Sequence, residues 1–352
     1  MTITRGAPLT EIGPGLHALL HPRRGWGLAN CGLLVSGSTA LWIDSPYDRG
    51  HAEAFLGASR ALLPAGAEVE RVVVTHANGD HLWGACVLPD AEVVATEAAR
   101  EHLGGEPTPG QLRALAASAH PGTPWGSYVR HHLGGFDWSA TEVPAVSRTF
   151  TGELELQVGE FPVLLGSLPP GHTVGDLYAH LPEQGVIFTG DAVFGSTAAQ
   201  PGDHPSHWAG PLSNLIAACE RFLATGARTF VPGHGPVLDA AGLKEHIGYL
   251  EYVAERAHAF HGAGVPAAEA ARRVIAEGNY PELGLPERLV ITIGSEYRAL
   301  DGDGLPDMLP VMRQVAQLAW DLRGDPSDPS DPSDPWGPSG PRAPSDGSRT
   351  TG

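Results

Sequence analysis

The chain has 352 residues, of which 42% are hydrophobic, so it is long enough for one large domain or two small ones with a buried core. Its formal net charge of -18 disfavours binding to the phosphate backbone of nucleic acids. The sequence shows no signal-peptide core, no apolar run of membrane-spanning length and no disulfide pattern among its three cysteines, so we expect a cytoplasmic protein without a membrane partner.

Strands and helices alternate in the first hundred residues. Short apolar runs bounded by glycine, serine or proline predict strands at 16–20, 31–35, 40–43, 69–74 and 91–95. Helical spacing of apolar residues predicts a helix at 49–63 that stops at Pro64. This alternation is typical of sheets that are covered by helices.

Residues 104–147 interrupt the alternation and are predicted to form an insertion or lid, because they are rich in Gly, Pro, Trp and His. Their ring-bearing side chains have two interpretations, a cover over a planar substrate or ordinary packing of the insertion. These side chains are Trp125, Tyr128, His131, His132, Phe136 and Trp138.

The remainder of the chain repeats the strand pattern and then becomes helical. Strands are predicted at 153–158, 161–165, 177–180, 186–188 and 228–231. A helix is predicted at 212–224, and further helices at 241–261, at 266–278 and over much of 306–323, so the region 241–323 is mostly helical and we expect one domain over 1–323. Asp-Pro-Ser repeats and a Gly/Pro/Ser mixture predict a disordered tail at 324–352.

A group of potential metal ligands is the most informative feature of the sequence. The strand-like run at 69–74 ends in Thr-His-Ala-Asn-Gly-Asp-His at 75–81, and His172, Asp191 and His234 follow the ends of later apolar runs, each beside a glycine. Imidazole and carboxylate groups are ligands for zinc, iron and manganese. The pattern therefore predicts one metal site that is assembled by folding.

The local geometry of this motif can also be predicted. In an extended segment, residues 76, 78 and 80 point to the same side. Gly79 permits a sharp turn, and Asp80 is expected to open the next helix as its N-cap.

The ordered set of motifs resembles the metallo-β-lactamase superfamily over roughly residues 10–260. The matching positions are Asp44, His76, Asn78, Asp80, His81, His172, Asp191 and His234. Asn78 is a departure, because the HxHxDH motif of the family has histidine there. The resemblance implies an α/β fold, an αββα sandwich with metal in the cleft at the sheet edges, to which this chain adds C-terminal helices.

The resemblance also implies two metal positions. One has the ligands His76, Asn78 and His172, the other has Asp80, His81 and His234, and Asp191 bridges them. Because an amide oxygen is a poorer zinc ligand than imidazole, three interpretations stay open: two ions with a weak ligand at 78, one ion at the second position, or a degenerate site. We expect one or two divalent ions, with zinc favoured over iron and manganese.

The implied chemistry is hydrolysis. A divalent ion lowers the pKa of its water to about 7, and Asp80 is the predicted catalytic residue that orients the resulting hydroxide or takes its proton. The substrate is expected to be a small ester, thioester, lactone or amide. Asp44 is expected to support the metal loop through hydrogen bonds rather than to ligate the ion.

His204, His207 and Trp208 follow the motif at Asp191 and are candidates for lining the substrate entrance. For the two histidines, an exposed loop position without a role is the simpler interpretation. His120, His246, His258 and His261 lie outside the motifs and are predicted to be surface positions.

Three further functions stay open. The Trp208–Asn214 and Val231–Val237 segments resemble a branch of bacterial hydrolases that includes cyclases, which suggests an aromatic polyketide cyclase or thioesterase with an acyl carrier protein as partner. An iron-dependent oxidoreductase and a non-catalytic binding protein are the others. Metal analysis discriminates among them. The sequence assigns no oligomeric state.

Overall fold

The computed structural model describes residues 8–22 and 24–324 of the chain. The predicted tail at 324–352 lies outside the described residues from position 325 onward. Among the described residues, no helix combines the length and the apolar character that crossing a bilayer requires.

The first sheet has seven strands that follow one another in chain order. They are β1 (Thr10–Gly13), β2 (Leu16–Leu19), β3 (Cys31–Ser36), β4 (Thr39–Ile43), β5 (Glu68–Val73), β6 (Glu92–Thr96) and β7 (Arg148–Phe150). Strands β1 to β4 pair antiparallel, and β4 to β7 pair parallel.

The second sheet has five strands in the spatial order β12-β11-β10-β9-β8. They are β8 (Glu153–Val158), β9 (Phe161–Ser167), β10 (Leu177–Leu181), β11 (Val186–Phe194) and β12 (Thr229–His234). Within this sheet, β11 and β12 pair parallel and the other neighbours pair antiparallel.

Helices cover the outer faces of both sheets. The helices are α1 (Arg49–Arg60), α2 (Gly79–Leu82), α3 (Glu97–His102), α4 (Pro109–Ser118), α5 (Pro124–Leu133), α6 (Leu212–Ala224), α7 (Ala240–Gly262), α8 (Ala267–Ala276), α9 (Leu289–Asp301) and α10 (Met308–Arg323). The predicted insertion at 104–147 contains α4 and α5, and α5 packs against α10.

Alternation of side chains along the strands builds three apolar layers. In β4, Leu41 and Ile43 face the second sheet and join the core between the sheets. Their neighbours Ala40 and Trp42 face α1 and join a second core on the outer side. A third core joins the outer face of β11 to α6–α10. The predicted αββα fold with added C-terminal helices is therefore confirmed.

Some elements differ from the sequence predictions. Strand β11 extends to Phe194, beyond the predicted end at 188, and β1, β7 and α9 were not predicted. After Leu289, helix α9 continues with Val-Ile-Thr-Ile at 290–293, a run of β-branched residues that favours a strand locally. All of its first eight residues are buried, so tertiary packing outweighs this preference.

Candidate metal centre

The loop that follows β5 presents the first ligand candidates. After the strand, residues 75–77 bend, and the single turn α2 begins at Gly79 with Asn78 as its N-cap residue. The prediction that Asp80 is the N-cap was wrong, because Asp80 lies within the first turn of α2. The chain is also not extended from 76 to 80, and the turn brings His76 and His81 to a ring-centroid distance of 4.1 Å.

The second sheet contributes Asp191 and His234 from the neighbouring strands β11 and β12. Asp191 lies inside β11 rather than at its end, where the pairing with β12 becomes irregular on both sides of Gly190. Such irregularities redirect side chains and are common beside functional sites. Gly233 is required here, since a Cβ atom at that position would overlap the carboxylate of Asp191.

Asp191 is the centre of the constellation. Nε2 of His81 lies 3.2 Å from its Oδ1. Nε2 of His172, from the loop between β9 and β10, lies 3.3 Å from its Oδ2, and Nε2 of His234 lies 3.4 Å from the same oxygen. Oδ2 of Asp80 is 3.4 Å from Nε2 of His234. At these separations, the side chains are close enough to coordinate shared cations.

Two sets of ligand atoms fit a divalent ion. His76, His81 and Asp191 form one set and Asp80, His81 and His234 the other, and within each set the ligand atoms lie within 4.8 Å of one another. His76 Nε2 is buried and, among the described residues, has no hydrogen-bond partner. An unsatisfied buried nitrogen atom is costly, and coordination of a cation would satisfy it.

The electrostatics prepare these groups for ligation. Burial lowers the pKa of His76 well below its usual value, with help from His81 and His172, so the ring is neutral. Burial opposes ionisation of Asp191, but its three histidine neighbours hold its pKa well below the usual value. Burial opposes ionisation of Asp80 as well, yet His81 and His234 lower its pKa. Both carboxylates are therefore anionic.

Protons on two histidines balance those carboxylates in the metal-free chain. Burial disfavours the charged form of His234, but Asp191 and Asp80 raise its pKa to about 9. The pKa of His81 is also raised, against burial, by Asp191, Asp44 and Asp80. A cation that binds here must displace these protons.

Asp44, which directly follows β4, forms hydrogen bonds with the metal loop, defined here as residues 75–81. Its Oδ1 accepts a hydrogen bond from the backbone N–H of Thr75 at 2.7 Å, and its Oδ2 accepts one from Thr75 Oγ1 at 2.8 Å. The same Oδ2 lies 2.8 Å from Nδ1 of His81, which leaves Nε2 directed at Asp191. Asp44 is thus placed to orient His81 within the metal loop.

Asn78 has a partner that the sequence did not indicate. Its amide Nδ2 donates to Oε2 of Glu106 at 3.0 Å, while its Oδ1 lies 2.7 Å from Nε2 of His172. Because a carboxylate only accepts hydrogen bonds, Glu106 fixes the amide with its oxygen towards the ligand side. Glu106 comes from the insertion, and its other oxygen lies 3.1 Å from Nε2 of His102.

A family model for the metallo-beta-lactamase superfamily matches residues 24–234, more than half of the chain. The chain belongs to the metallo-beta-lactamase superfamily. Members of this superfamily bind one or two divalent metal ions, typically zinc, and the His and Asp groups described above fit that property. No curated protein matches the chain significantly.

Solved structures resemble this chain at low sequence identity. The inverting sec-alkylsulfatase Pisa1 from Pseudomonas sp. is 16% identical with a TM-score of 0.58 over 86% of this chain, which spans about half (51%) of that enzyme. The metallo-beta-lactamase DIM-1 is 19% identical with a TM-score of 0.48, over 70% of this chain and 97% of the other. The likeness to the alkylsulfatase extends to the fold alone.

A cavity of about 520 Å³ lies beside the loop at residues 75–81, and Asn78, Gly79 and Asp80 are among the residues that line it. The insertion and α10 build much of its wall. Of the predicted lid side chains, Trp125, Tyr128 and His132 line the cavity. Phe136 and Trp138 instead pack against Tyr47, with ring centroids at 5.0 and 5.4 Å.

The predicted entrance residues separate. Trp208 lines the cavity, whereas His204 and His207 do not, and both histidines are buried rather than exposed. Nδ1 of His204 lies 2.8 Å from the hydroxyl of Tyr249, and the His207 ring packs 5.9 Å from that of His172. His246 is buried as well, so its predicted surface position was wrong.

Proposed function

We propose that the chain is a metal-dependent hydrolase that cleaves an ester, thioester, lactone or amide. Members of its superfamily are typically metal-dependent hydrolases. The observation that carries the proposal is the position of ionised Asp80, which lies beside His234 and lines the large cavity. A carboxylate in this place is within reach of both a coordinated cation and a substrate.

We assign the chemistry as follows. His76, Asn78 and His172 would hold one ion, Asp80, His81 and His234 a second, and Asp191 lies between the two sets. A bound divalent ion supplies Lewis acidity, which lowers the pKa of water and polarises a carbonyl group.

The side chains of the protein do the rest. Asp80 orients the attacking water and takes up its proton, because its carboxylate is ionised. Nδ1 of His234 lies 3.1 Å from the backbone carbonyl of Leu28, which leaves Nε2 of this ring on the side of Asp80 and Asp191 for ligation.

Hydrolysis assays on the metal-loaded chain test this proposal. A panel of aryl esters, thioesters, lactones and amides should contain substrates, and Asp80→Asn should lower kcat by at least about 100-fold with an unchanged circular dichroism spectrum. The exposed Asp90→Asn is the matched control and should retain full activity. The proposal would be contradicted if Asp80→Asn kept its turnover, or if the chain hydrolysed none of the compounds in the panel. Iron with a visible absorption band and redox activity would favour an oxidoreductase.

A polyketide cyclase or thioesterase is the second candidate, and the cavity favours it. The walls are rich in aromatic side chains, which suit the planar body of an aromatic polyketide. An acyl carrier protein would then deliver the substrate. If so, a carrier-bound thioester should react much faster than the same acyl group on a short thiol, whereas equal rates would exclude the carrier as partner.

A further inference from the structure

The cavity above Asp80 has the size and surface of a binding site for an apolar molecule. Its volume of about 520 Å³ lies within the range of roughly 300–1,000 Å³ that is usual for small-molecule sites. Trp83 and Tyr47 stack at 5.1 Å on the side of the first sheet. Trp125 and Met312 come from the insertion and from α10. Three separate parts of the chain thus supply apolar walls.

Two of the aromatic side chains in these walls satisfy each other's polar atoms, whereas both ring nitrogens of His132 are buried without a hydrogen-bond partner among the described residues. Trp26 Nε1 donates to the hydroxyl of Tyr128 at 2.7 Å, so both rings that line the cavity have a satisfied polar end. Their faces remain for contact with a ligand. Aromatic and thioether surfaces of this kind favour planar or long aliphatic groups.

The charged groups that line the cavity are all acidic. They are Asp80, Glu106 and Asp307. Within the described part of the chain, neither lysine nor arginine lines the cavity. His132 does, and burial holds its pKa well below the usual value, so this ring is neutral. A carboxylate or sulfate on the body of a substrate, away from the positions where the ions would bind, would therefore be desolvated without a cationic partner, which is unfavourable.

Two arginines contact rings of the wall without lining the cavity. Arg288 is buried, lies 4.1 Å from the centre of the Trp26 ring and donates to the backbone carbonyl of His204. Arg313 lies 5.9 Å from the centre of the Trp125 ring. Neither guanidinium belongs to the cavity surface, so neither is placed to pair directly with a bound anion.

We propose that the cavity selects substrates with an aromatic or long aliphatic body that carries no negative charge away from the group to be cleaved. This inference rests on the proposed hydrolase function for the identity of the reacting group, but not for the binding preference. This charge preference distinguishes the cavity from binding sites that accept substrates with an anionic body.

Calorimetric titration of the metal-loaded full chain with three unreactive ketones tests the preference. The probes are 2-acetylnaphthalene, 6-acetyl-2-naphthoate and (6-acetyl-2-naphthyl)trimethylammonium, which share the acetyl group and differ in charge. We expect the neutral ketone to bind with a Kd at least about tenfold lower than the carboxylate, and the ammonium compound to bind no more weakly than the carboxylate. A carboxylate that binds as tightly as the neutral ketone, or the absence of binding by all three, would overturn the proposal.

A substitution that installs the missing cation sharpens the test. Met312→Lys places an ammonium group on the cavity wall and should lower the Kd of the carboxylate by about tenfold relative to the neutral ketone. Leu322→Lys, an exposed position on the same helix outside the cavity, is the matched control and should change neither Kd. An unaltered preference in Met312→Lys would locate binding elsewhere and contradict the proposal.

The two proposals fail in different ways. Selective binding of the neutral ketone without hydrolysis of any ester would remove the hydrolase function and leave the cavity preference intact. Hydrolysis of the ester panel together with preferred binding of the carboxylate would do the reverse.

Discussion

At the scale of single residues, the candidate centre depends on carboxylates that touch a ligand rather than on the ligands alone. Asp44 and Glu106 lie outside the loop at residues 75–81 and form hydrogen bonds with residues of that loop. Asp44 accepts two hydrogen bonds from Thr75 and orients His81. Glu106 orients Asn78. Each makes a prediction that separates orientation from ligation.

Asp44→Asn should weaken metal binding by about 10–100-fold. An amide can accept through only one oxygen, so the group that faces Nδ1 of His81 changes from acceptor to donor and the ring adopts the tautomer with its proton on Nε2. The backbone of Asp44 is left-handed, with φ of 59°, a conformation that asparagine tolerates. Competition with a chromophoric chelator measures the affinity. Asp48→Asn, at the N-cap of α1, should leave it unchanged, and equal affinities in both variants would show that Asp44 does not orient His81.

Glu106→Leu should lower metal affinity by about tenfold, because the amide of Asn78 loses the acceptor that directs its oxygen towards His172. A double-mutant cycle provides the control. In the Asn78→His background the ring nitrogen no longer depends on the amide orientation, so Glu106→Leu should have a much smaller effect on affinity there. The same loss of affinity in both backgrounds would count against the orientation of Asn78 by Glu106.

At the scale of elements, the site lies where the two sheets meet. The metal loop follows β5 of the first sheet, and Asp191 and His234 come from β11 and β12 of the second. Close approach of these strands depends on Gly233, whose hydrogen faces the carboxylate of Asp191.

Gly233→Ala should therefore abolish tight metal binding and destabilise the fold by about 1–3 kcal/mol. The added methyl group must displace either the Asp191 carboxylate or the backbone of β12. Urea unfolding and metal titration measure the two effects. Gly248→Ala in α7 is the control, since a methyl group added there meets no atom of the described chain within 4 Å, and alanine there should stabilise by about 0.5–1 kcal/mol. Normal metal binding in Gly233→Ala would contradict this requirement, because it would show that a methyl group fits between β12 and the Asp191 carboxylate.

The limits of sequence-based prediction also belong to this scale. Continuous apolar runs predicted β3 to β6, because nearly all residues of strands such as β3, β4 and β6 are buried. The order of the ligand candidates along the chain was visible for the same reason, since each follows such a run. The contact between Asn78 and Glu106 was not predictable, because Glu106 lies 28 positions away within an irregular insertion.

Long-range packing explains the remaining differences. Helix α9 is helical against its local preference because its buried face requires it. The wall that α10 adds to the cavity joins Met312 to Asp80 across more than half of the sequence. Neither local propensity nor motif spacing carries information on such contacts.

At the scale of the whole molecule, buried neutral histidines make stability depend on pH. Burial lowers the pKa of His246 to about 4, and burial together with Arg288 lowers that of His204 to about 3. Both values lie below the unfolded value of about 6.5, so the unfolded chain binds more protons in acid. The stabilisation is present above about pH 6.5 and is lost as the pH falls towards the folded values.

We expect the free energy of unfolding of the metal-free chain to fall by about 1.4 kcal/mol per pH unit for each such histidine below about pH 6.5. Urea unfolding between about pH 4 and about pH 8 in the presence of a chelator measures this slope. His246→Gln should reduce the slope by one histidine's share, whereas the exposed His120→Gln should not change it. Identical slopes in His246→Gln and the wild type would contradict the buried neutral state.

The most direct test of the metal centre is a calorimetric titration of the chelator-treated chain with zinc at about pH 7. Convergence of His76, His81, Asp191 and their neighbours predicts tight binding of at least about one ion per chain with release of protons, and loss of that binding in Asp191→Ala. Binding below about 0.2 equivalents, with no gain from iron or manganese, would contradict it.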